Sequence, residues 1–446
     1  MDLFGTAGIR GPVTEVTPEL AVRVGRAAAT AAGGGEFVVA RDGRETGGAL
    51  VAPVTAGLLA GGADVRRAGV LPPPALADAS RGRHGVMVTA SHNPPADNGL
   101  KLFVDGVEYD RDAERTVEQR VDTPGADWDR WGGTERVDVL DAYRGAVTDY
   151  AAEYGADADG LTVAVDCGNG VASLATPQVL TGLGAEVRAL NATVDGHFPA
   201  RQSKPTPESL ADLRAFVADG ADLGVGHDGD ADRVVVVDGD GDVVHEDTVL
   251  AILAEHYTRA SDAADPVVVT TPNASGRVDE RVQDAGGRVE RVRLGALHEG
   301  VAAVRADGAE RTAVTFAAEP WKHIHPRLGG WIDGVASAAV LTRLVAAEGL
   351  DTLRAPVTER PYRKLSVPCP DDRKAAAMAA LTETLPGTFP EASVDTDHGV
   401  RLDLPDGSWT LVRPSGTEPY VRIYAESEDV DALVATVREC VEAATE

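Results

Sequence analysis

Three short stretches carry residue types and spacings suited to phosphate chemistry. In "VTASHNPPADNGLKLF" a strand-like run ends at Thr89, and the chain turns through Ser91, His92 and Asn93 into two prolines. Ser and Asn favour helix N-caps, so a capping role for Ser91 competes with a chemical one. Lys101, one of only five lysines in the chain, stands a short reach beyond the Asn98-Gly99 pair, read here as a turn. A serine hydroxyl with a nearby cation or proton carrier suits a nucleophilic or phosphorylated hydroxyl.

In "GHDGDADR" the residues Asp228, Asp230 and Asp232 lie two apart after another strand-like run. In extended backbone they point one way, and three converging carboxylates need a cation between them. The competing reading is a solvated acidic loop. An EF-hand is excluded, because loop positions six and twelve would be Arg233 and Gly239, where that motif needs Gly and Glu. Hard oxygen ligands with open positions suit Mg²⁺, and Arg233 beside the last of them could hold a phosphate. The following "DGDGD" at 238–242 reads as a hairpin turn.

The third stretch is "RPSGTEP", residues 413–419, with Arg422 just beyond it. A turn between strands is the plain reading, yet Arg413, Ser415, Gly416 and Thr417 are a donor set that fits a phosphate.

The elements that must position these loops follow from the hydrophobic pattern. Val-rich runs ("EFVVA", "GVMVTA", "LTVAVD", "ADLGVGHD", "PVVVTT", "AVTFAAE") alternate with Ala/Leu-rich stretches of helical period. Continuous apolar strands between helices predict α/β architecture, mixed or parallel sheets covered on both faces, with ligands at the carboxyl ends of strands. The segment from residue 409 onward reads differently, as strand, polar loop, strand and amphipathic helix. Four segments result: 1–145 with the serine loop, 146–245 with the acidic loop, 246–355, and a smaller α+β segment at 356–446.

Composition narrows the classes further. Acidic residues exceed basic ones by 71 − 42 = 29, with thirty-seven arginines against five lysines, so nucleic acid is excluded as a partner. Such self-repulsion is tolerated where salt screens it, which predicts a cytoplasmic protein of a salt-loving organism. Cys167, Cys369 and Cys440 are too few and scattered for a disulfide framework or a clustered zinc site. There is no secretory leader pattern and no apolar run of membrane-spanning length, so neither export nor a membrane partner is expected.

With these stretches in hand, the chain resembles the α-D-phosphohexomutase superfamily of phosphoglucomutases, phosphomannomutases and phosphoglucosamine mutases. The resemblance runs in order through "LFGTAGIRG", "TASHNPPADNGLK", "FPARQSKPTPESL", "DGDADR", the Glu319 loop and "RPSGTEP". It implies three similar mixed α/β domains and a smaller C-terminal α+β domain around a central cleft. It further implies a phosphoserine at Ser91, with Lys101, Arg10 and His92 completing the catalytic group. One Mg²⁺ per chain would be held by Asp228, Asp230, Asp232 and a phosphoserine oxygen, with a hexose bisphosphate as activator. The implied reaction interconverts hexose 6- and 1-phosphates, with the "RPSGTEP" loop and Arg422 gripping the phosphate that is not being transferred.

The family's sugar-reading loop runs Glu, any residue, Ser, Gly, His, whereas this chain has "EPWKHI". Glu319 and His323 keep their places as acceptor and donor to the sugar. Trp321 and Lys322 replace the serine and glycine, and Lys322 is expected to meet the substrate's phosphate. A zinc site at His323 and His325 lacks a third ligand. The "EP…IHP…DG" form is similar to that of archaeal phosphoglucosamine mutases, which points to glucosamine phosphate, with mannose and glucose phosphates as competitors. In "LGALHEG", Ala296 stands where relatives carry an acidic or histidine residue. A serine hydrolase is disfavoured because adjacent side chains such as Ser91 and His92 should point apart. A small phosphosugar is the expected partner, and the chain is expected to act as a monomer or dimer.

Overall fold

The computed structural model describes residues 3–5, 8–309, 311–416 and 418–445. Its residues cluster into two compact units, Met1–Glu246 with Trp321–Leu353, and Asp247–Pro320 with Arg354–Glu446.

In the first unit the chain forms β1 (Ile9–Pro12), α1 (Pro18–Ala32), β2 (Gly35–Arg41), α2 (Gly47–Ala60), β3 (Ala63–Val70), α3 (Pro73–Ala79), β4 (His84–Val88), β5 (Asp97–Val104), β6 (Val107–Glu108), α4 (Arg111–Glu118) and β7 (Thr134–Arg136). Their sheet runs β1-β5-β4-β2-β3-β7, with β6 beside β5. Strands β4, β2, β3 and β7 are parallel, and β5 is antiparallel to both β1 and β4. Local signals fix the helices: Thr17 caps α1 by accepting from Leu20 N, Pro18 opens it, and left-handed Gly33 ends it.

After α5 (Leu140–Ala152) comes a second sheet, β8 (Thr162–Asp166), α6 (Thr176–Gly182), β9 (Glu186–Leu190), α7 (Ala211–Ala218), β10 (Leu223–His227) and β11 (Val234–Val237), ordered β11-β10-β8-β9. Val163, Val165, Leu223 and Val225 are fully buried. That burial explains why these runs are continuously apolar rather than alternating.

The second unit holds most of α8 (Glu246–Arg259), then β12 (Asp265–Thr270), α9 (Gly276–Asp284), β13 (Arg288–Arg291), α10 (Leu297–Asp307) and β14 (Thr312–Glu319), with β13 and β14 both parallel to β12. The next elements, β15 (Lys322–Ile324) and α11 (Gly334–Glu348), belong to the first unit, and α12 (Leu350–Arg354) follows. The chain ends in β16 (Tyr362–Pro368), α13 (Asp371–Thr388), β17 (Ser393–Asp395), β18 (Val400–Asp403), β19 (Trp409–Pro414), β20 (Tyr420–Glu426) and α14 (Val430–Thr445), an antiparallel sheet with two helices.

Several local expectations need correction. Asn98-Gly99 is no turn but lies inside β5, so Lys101 is a strand residue opposite Met87 of β4. Gly99 is needed there because a Cβ would fall 2.4 Å from Ile9 O and 2.6 Å from Thr89 O. The "DGDGD" turn makes one bridge, Val237 to Val243, rather than a two-stranded hairpin. The first unit takes in 321–353 and the second takes in 247–320. The reason is α11: twelve of its fifteen residues are buried, and it packs on α5 and α6. Among the described residues, no helix is long and apolar enough to cross a membrane.

Candidate active site

The centre of the first unit is the loop between β4 and β5. Thr89 is the first residue past β4, and Ser91 adopts a left-handed φ of 50°. No helix follows, so the capping role for Ser91 does not arise. Its amide donates to Thr89 Oγ1 at 3.0 Å, and its hydroxyl donates to Asp228 Oδ2 at 2.9 Å. The same backbone twist brings His92 Nδ1 to 3.4 Å from Ser91 Oγ. This corrects the expectation that neighbouring side chains diverge, which assumes extended backbone. Burial, then the Arg233 charge, pushes the His92 imidazole down to about 3.

Asp228, Asp230 and Asp232 converge as expected, but by another route. Asp228 directly follows β10, Asp230 and Asp232 lie in the turn and bend beyond it, and Ala231 takes φ 64°. Their ligand oxygens lie within 4.8 Å of one another, fully buried. Asp230 Oδ1 and Asp232 Oδ1 have no hydrogen-bond partner among the described residues. Buried acceptors left open in a dry site are costly, and a cation with hard oxygen ligands satisfies them. Burial holds the carboxyls of Asp228 and Asp230 above their ordinary range, with Asp232 adding repulsion in both cases. Burial also pushes Asp232 upward, but Lys322, Lys101, Arg233 and Arg10 prevail and hold it well below. The donor set fits Mg²⁺.

Cations ring this cluster. Lys101 Nζ donates to Glu108 Oε1 at 3.2 Å and Asp232 Oδ2 at 3.3 Å. Burial opposes its charge, yet those two carboxylates keep the ammonium above its usual range. Arg233 Nε lies 3.7 Å from Asp228 Oδ2 and 3.8 Å from Asp232 Oδ1. Arg10 is held in β1 opposite Gly99, and its Nε and Nη2 are buried without a hydrogen-bond partner among the described residues. Lys322, at the start of β15, acts electrostatically on both Asp232 and His92. Ser91, His92, Lys101, Arg10, Arg233, Lys322 and the three aspartates therefore meet in one unit.

The buttress was not legible in the sequence. The Arg44 guanidinium, fully buried, donates to the carbonyls of Ser91 and Asn93 at 2.7 Å and of Asp97 at 2.9 Å, and pairs with Asp42 at 3.1 Å. Thr89 Oγ1 lies 2.7 Å from Asp42 Oδ2 and 2.8 Å from Asp230 Oδ2. One hydroxyl proton cannot serve both, so the second contact calls for a protonated carboxyl. Burial, opposed by Arg44, lifts the Asp42 carboxyl to about 6. The "FPARQSKP" stretch supports the same region. Phe198 lies under Arg44, Arg201 Nε bonds Asp166 at 2.7 Å and its Nη2 bonds His227 O at 2.7 Å, and Ser203 bonds Asn93 O.

The "WIDG" motif is explained by α11. Asp333 caps that helix through Ala336 N at 2.8 Å. Gly334 permits its approach to the acidic loop, because a Cβ there would sit 2.6 Å from Arg233 O and 2.8 Å from Ala231 O. His323, expected as a sugar donor, is the middle residue of β15. It is buried, and its Nδ1 and His325 Nε2 both reach Ser337 Oγ at 2.9 Å, while that hydroxyl donates to Asp333 O. The ring fixes β15 onto α11. Trp321 packs against a core that includes Leu210 and Val235, with Lys204 Nζ 5.9 Å from its ring centre.

Burial lowers the imidazoles of His323 and His325 to about 3 and of His227 to about 4. A histidine lowered in the folded state binds its proton first in the unfolded chain, so stability falls as pH drops below about 6.5 toward the folded value. Each such group contributes a slope of about 1.4 kcal/mol per pH unit in that window. Urea titrations of His325→Gln between pH 6.5 and 4 are expected to show a stability slope shallower than wild type by about that amount. Parallel slopes would show that His325 is protonated in the native protein.

The remaining predicted residues lie in the second unit. Glu319 ends β14. Arg413 and Arg422 are direct partners across β19 and β20; Arg413 Nη2 donates to Tyr424 Oη at 2.9 Å, and Arg422 pairs with Glu418. Ser415 and Gly416 form the loop between these strands, and Lys374 Nζ closes it by donating to Ser415 O at 2.6 Å. Thr417 lies outside the described residues. Ala296 precedes α10 as a buried apolar residue.

Comparison with known proteins bears directly on this arrangement. Models of the phosphoglucomutase/phosphomannomutase family match as α/β/α domain I over 1–127, α/β/α domain II over 141–241 and the C-terminal domain over 365–443. A phosphopentomutase of Thermococcus kodakarensis is 41% identical over 438 residues, covering 96% of this chain and 94% of the relative. A probable phosphoglucosamine mutase of Methanopyrus kandleri is 42% identical over 459 residues, covering 98% of each. A second Thermococcus kodakarensis protein, a probable phosphoglucosamine mutase, is 35% identical, covering 96% and 94%. The solved structure of a phosphoglucomutase/phosphomannomutase family protein from Burkholderia thailandensis superposes with a TM-score of 0.83 at 26% identity, covering 99% of this chain and 97% of that one. Nearly full-length likeness, joined to a buried serine against three carboxylates, shows that the chain belongs to the phosphoglucomutase/phosphomannomutase family of the α-D-phosphohexomutase superfamily, enzymes that are isomerases acting by phosphoryl transfer.

Proposed function

We propose that the protein interconverts glucosamine 6-phosphate and glucosamine 1-phosphate through a phosphoserine at Ser91. The observation that carries this reading is the Ser91 hydroxyl, 2.9 Å from Asp228 in an aspartate cluster whose Asp232 feels the charges of Lys322, Lys101, Arg233 and Arg10. The phosphoryl group leaves Ser91 Oγ for the free hydroxyl of the sugar monophosphate, and the bisphosphorylated sugar turns over. Its other phosphate then returns to Ser91. Asp228, Asp230 and Asp232 would hold one Mg²⁺ per chain, which when bound neutralises charge on the transferred group. Lys101, its ammonium 3.2 Å from Glu108, handles the hydroxyl proton together with His92. Arg10 and Arg233 hold the equatorial oxygens in line.

Glu319 and His323 would read the sugar, Lys322 would meet the substrate's phosphate, and Arg413, Ser415, Gly416, Thr417 and Arg422 would grip the phosphate at rest. A hexose bisphosphate is the expected activator, and the acidic surface fits a cytoplasm rich in salt. The division into domains at 1–145, 146–245, 246–355 and 356–446 belongs to the same proposal.

Glucosamine phosphate is supported by the recurrence of that activity among the names of the similar proteins. A second reading, pentose phosphate, is favoured by one observation. Within a single organism, Thermococcus kodakarensis, the phosphopentomutase is 41% identical and the probable phosphoglucosamine mutase 35%. The test is a panel of glucosamine, glucose, mannose, ribose and deoxyribose phosphates assayed with Mg²⁺ and the matching bisphosphates in high KCl. The expected outcome is a kcat/KM for glucosamine phosphate at least tenfold above the others. A pentose phosphate ahead of it overturns the first reading in favour of the second.

A further inference from the structure

A cavity of about 360 Å³ in the first unit, away from Ser91, is lined by Arg41, Arg67 and Arg136 together with Val39, Val51 and Gly69. In the parallel pairing of β3 with β7, Arg67 and Arg136 are direct neighbours. Like charges at paired positions repel, and strands lie only about 4.8 Å apart. In a chain with twenty-nine excess acidic residues, carboxylates could readily have been placed beside them. The neighbouring position shows the contrast. Arg66, one residue earlier, bonds Glu36 at 2.8 Å and Glu135 at 3.1 Å. Among the described residues, Arg41, Arg67 and Arg136 have no such ion pair.

The backbone shapes the same place. The β2–β3 register shifts between Val39 and Ala40, so Ala68 is an extra residue in β3, and Gly69 beyond it has φ +83°. Bulges of this kind re-aim side chains. Arg41, the last residue of β2, lies against Gly47 at the start of α2, and its Nη1 donates to Asp42 O at 3.0 Å.

We infer that this pocket is a second anion site, which takes a small phosphate- or diphosphate-bearing metabolite between Arg67 and Arg136, with Arg41 at its inner wall. Two guanidiniums one strand spacing apart can bridge the oxygens of one phosphate group, each as a planar fork. The volume lies at the lower end of small-molecule pockets, enough for a phosphate and a sugar-sized body. The site is independent of which sugar the Ser91 centre takes. It touches that centre only through the main chain, since Arg41 is tied to the loop that carries Arg44.

The experiment is calorimetric titration of the full chain with sodium pyrophosphate at fixed ionic strength, using wild type, the single variant R136S and the double variant R67S/R136S. Arg67 and Arg136 are exposed, and neither belongs to the mutase centre. The expected result is a binding site in wild type, additional to any pyrophosphate taken by the mutase centre in all three proteins, that is weakened severalfold in R136S and absent or at least tenfold weaker in the double variant. Mutase turnover without pyrophosphate should stay within twofold of wild type. Identical isotherms in all three proteins, or no binding by wild type, would overturn the inference.

Discussion

Ser91→Ala is expected to abolish mutase turnover, by on the order of 10⁴- to 10⁶-fold, the usual loss when a covalent nucleophile is removed. The shuttle needs an acceptor oxygen at that point, and the buried hydroxyls and carboxylates around it are spoken for: Thr89 by Asp42 and Asp230, Asp228 by Ser91 itself. The chemical effect separates cleanly from folding. Ser91 sits at φ 50°, a region that penalises any side chain by about 1 kcal/mol. Ser91→Gly should therefore be as inactive as Ser91→Ala but more stable by about 1 kcal/mol. Mass analysis should find phosphate on the peptide spanning residue 91 in wild type alone. Retention of a tenth of wild-type turnover by either variant would remove Ser91 from the mechanism.

Ser91 and the three aspartates were legible as site residues because their loops follow the strand-like runs of β4 and β10, and ligands gather at the carboxyl ends of such strands. What stayed hidden depends on which strands are neighbours. Asp42 and Thr89 lie 47 residues apart and meet because β2 pairs with β4. Period and turn signals do not encode that adjacency. Local backbone was misread for a related reason. "DNG" carries a turn signal, but pairing with β1 and β4 on either side overrides it. The carboxylates of "DGDADR" converge through the left-handed Ala231, a conformation the sequence gives no reason to place at alanine. Nor do period and turn signals show that Ser337, fourteen residues after His323 on α11, bonds its ring.

Arg44 is where this hidden layer is expected to have its largest effect. Its guanidinium has five N–H donors, and the structure uses them on Asp42 and on carbonyls of Ser91, Asn93, Pro94 and Asp97. Arg44→Ala strands a buried carboxylate and four carbonyls at once. Breaking a buried pair by removing one partner destabilises by about 3–5 kcal/mol. The Thr89 bridge adds a functional consequence, because Asp42, once unpaired, perturbs the hydroxyl that also touches Asp230. Arg44→Lys restores the charge beside Asp42 but offers three donors in a different geometry. It should recover part of the stability while turnover stays reduced by about 10²-fold, since a displacement near 1 Å of a reacting group has that effect. Urea unfolding together with kcat for wild type and both variants separates the two contributions. If Arg44 only stabilises the fold, turnover per folded molecule will be unchanged in Arg44→Lys; if it holds Ser91 in line, kcat falls while KM stays near wild type.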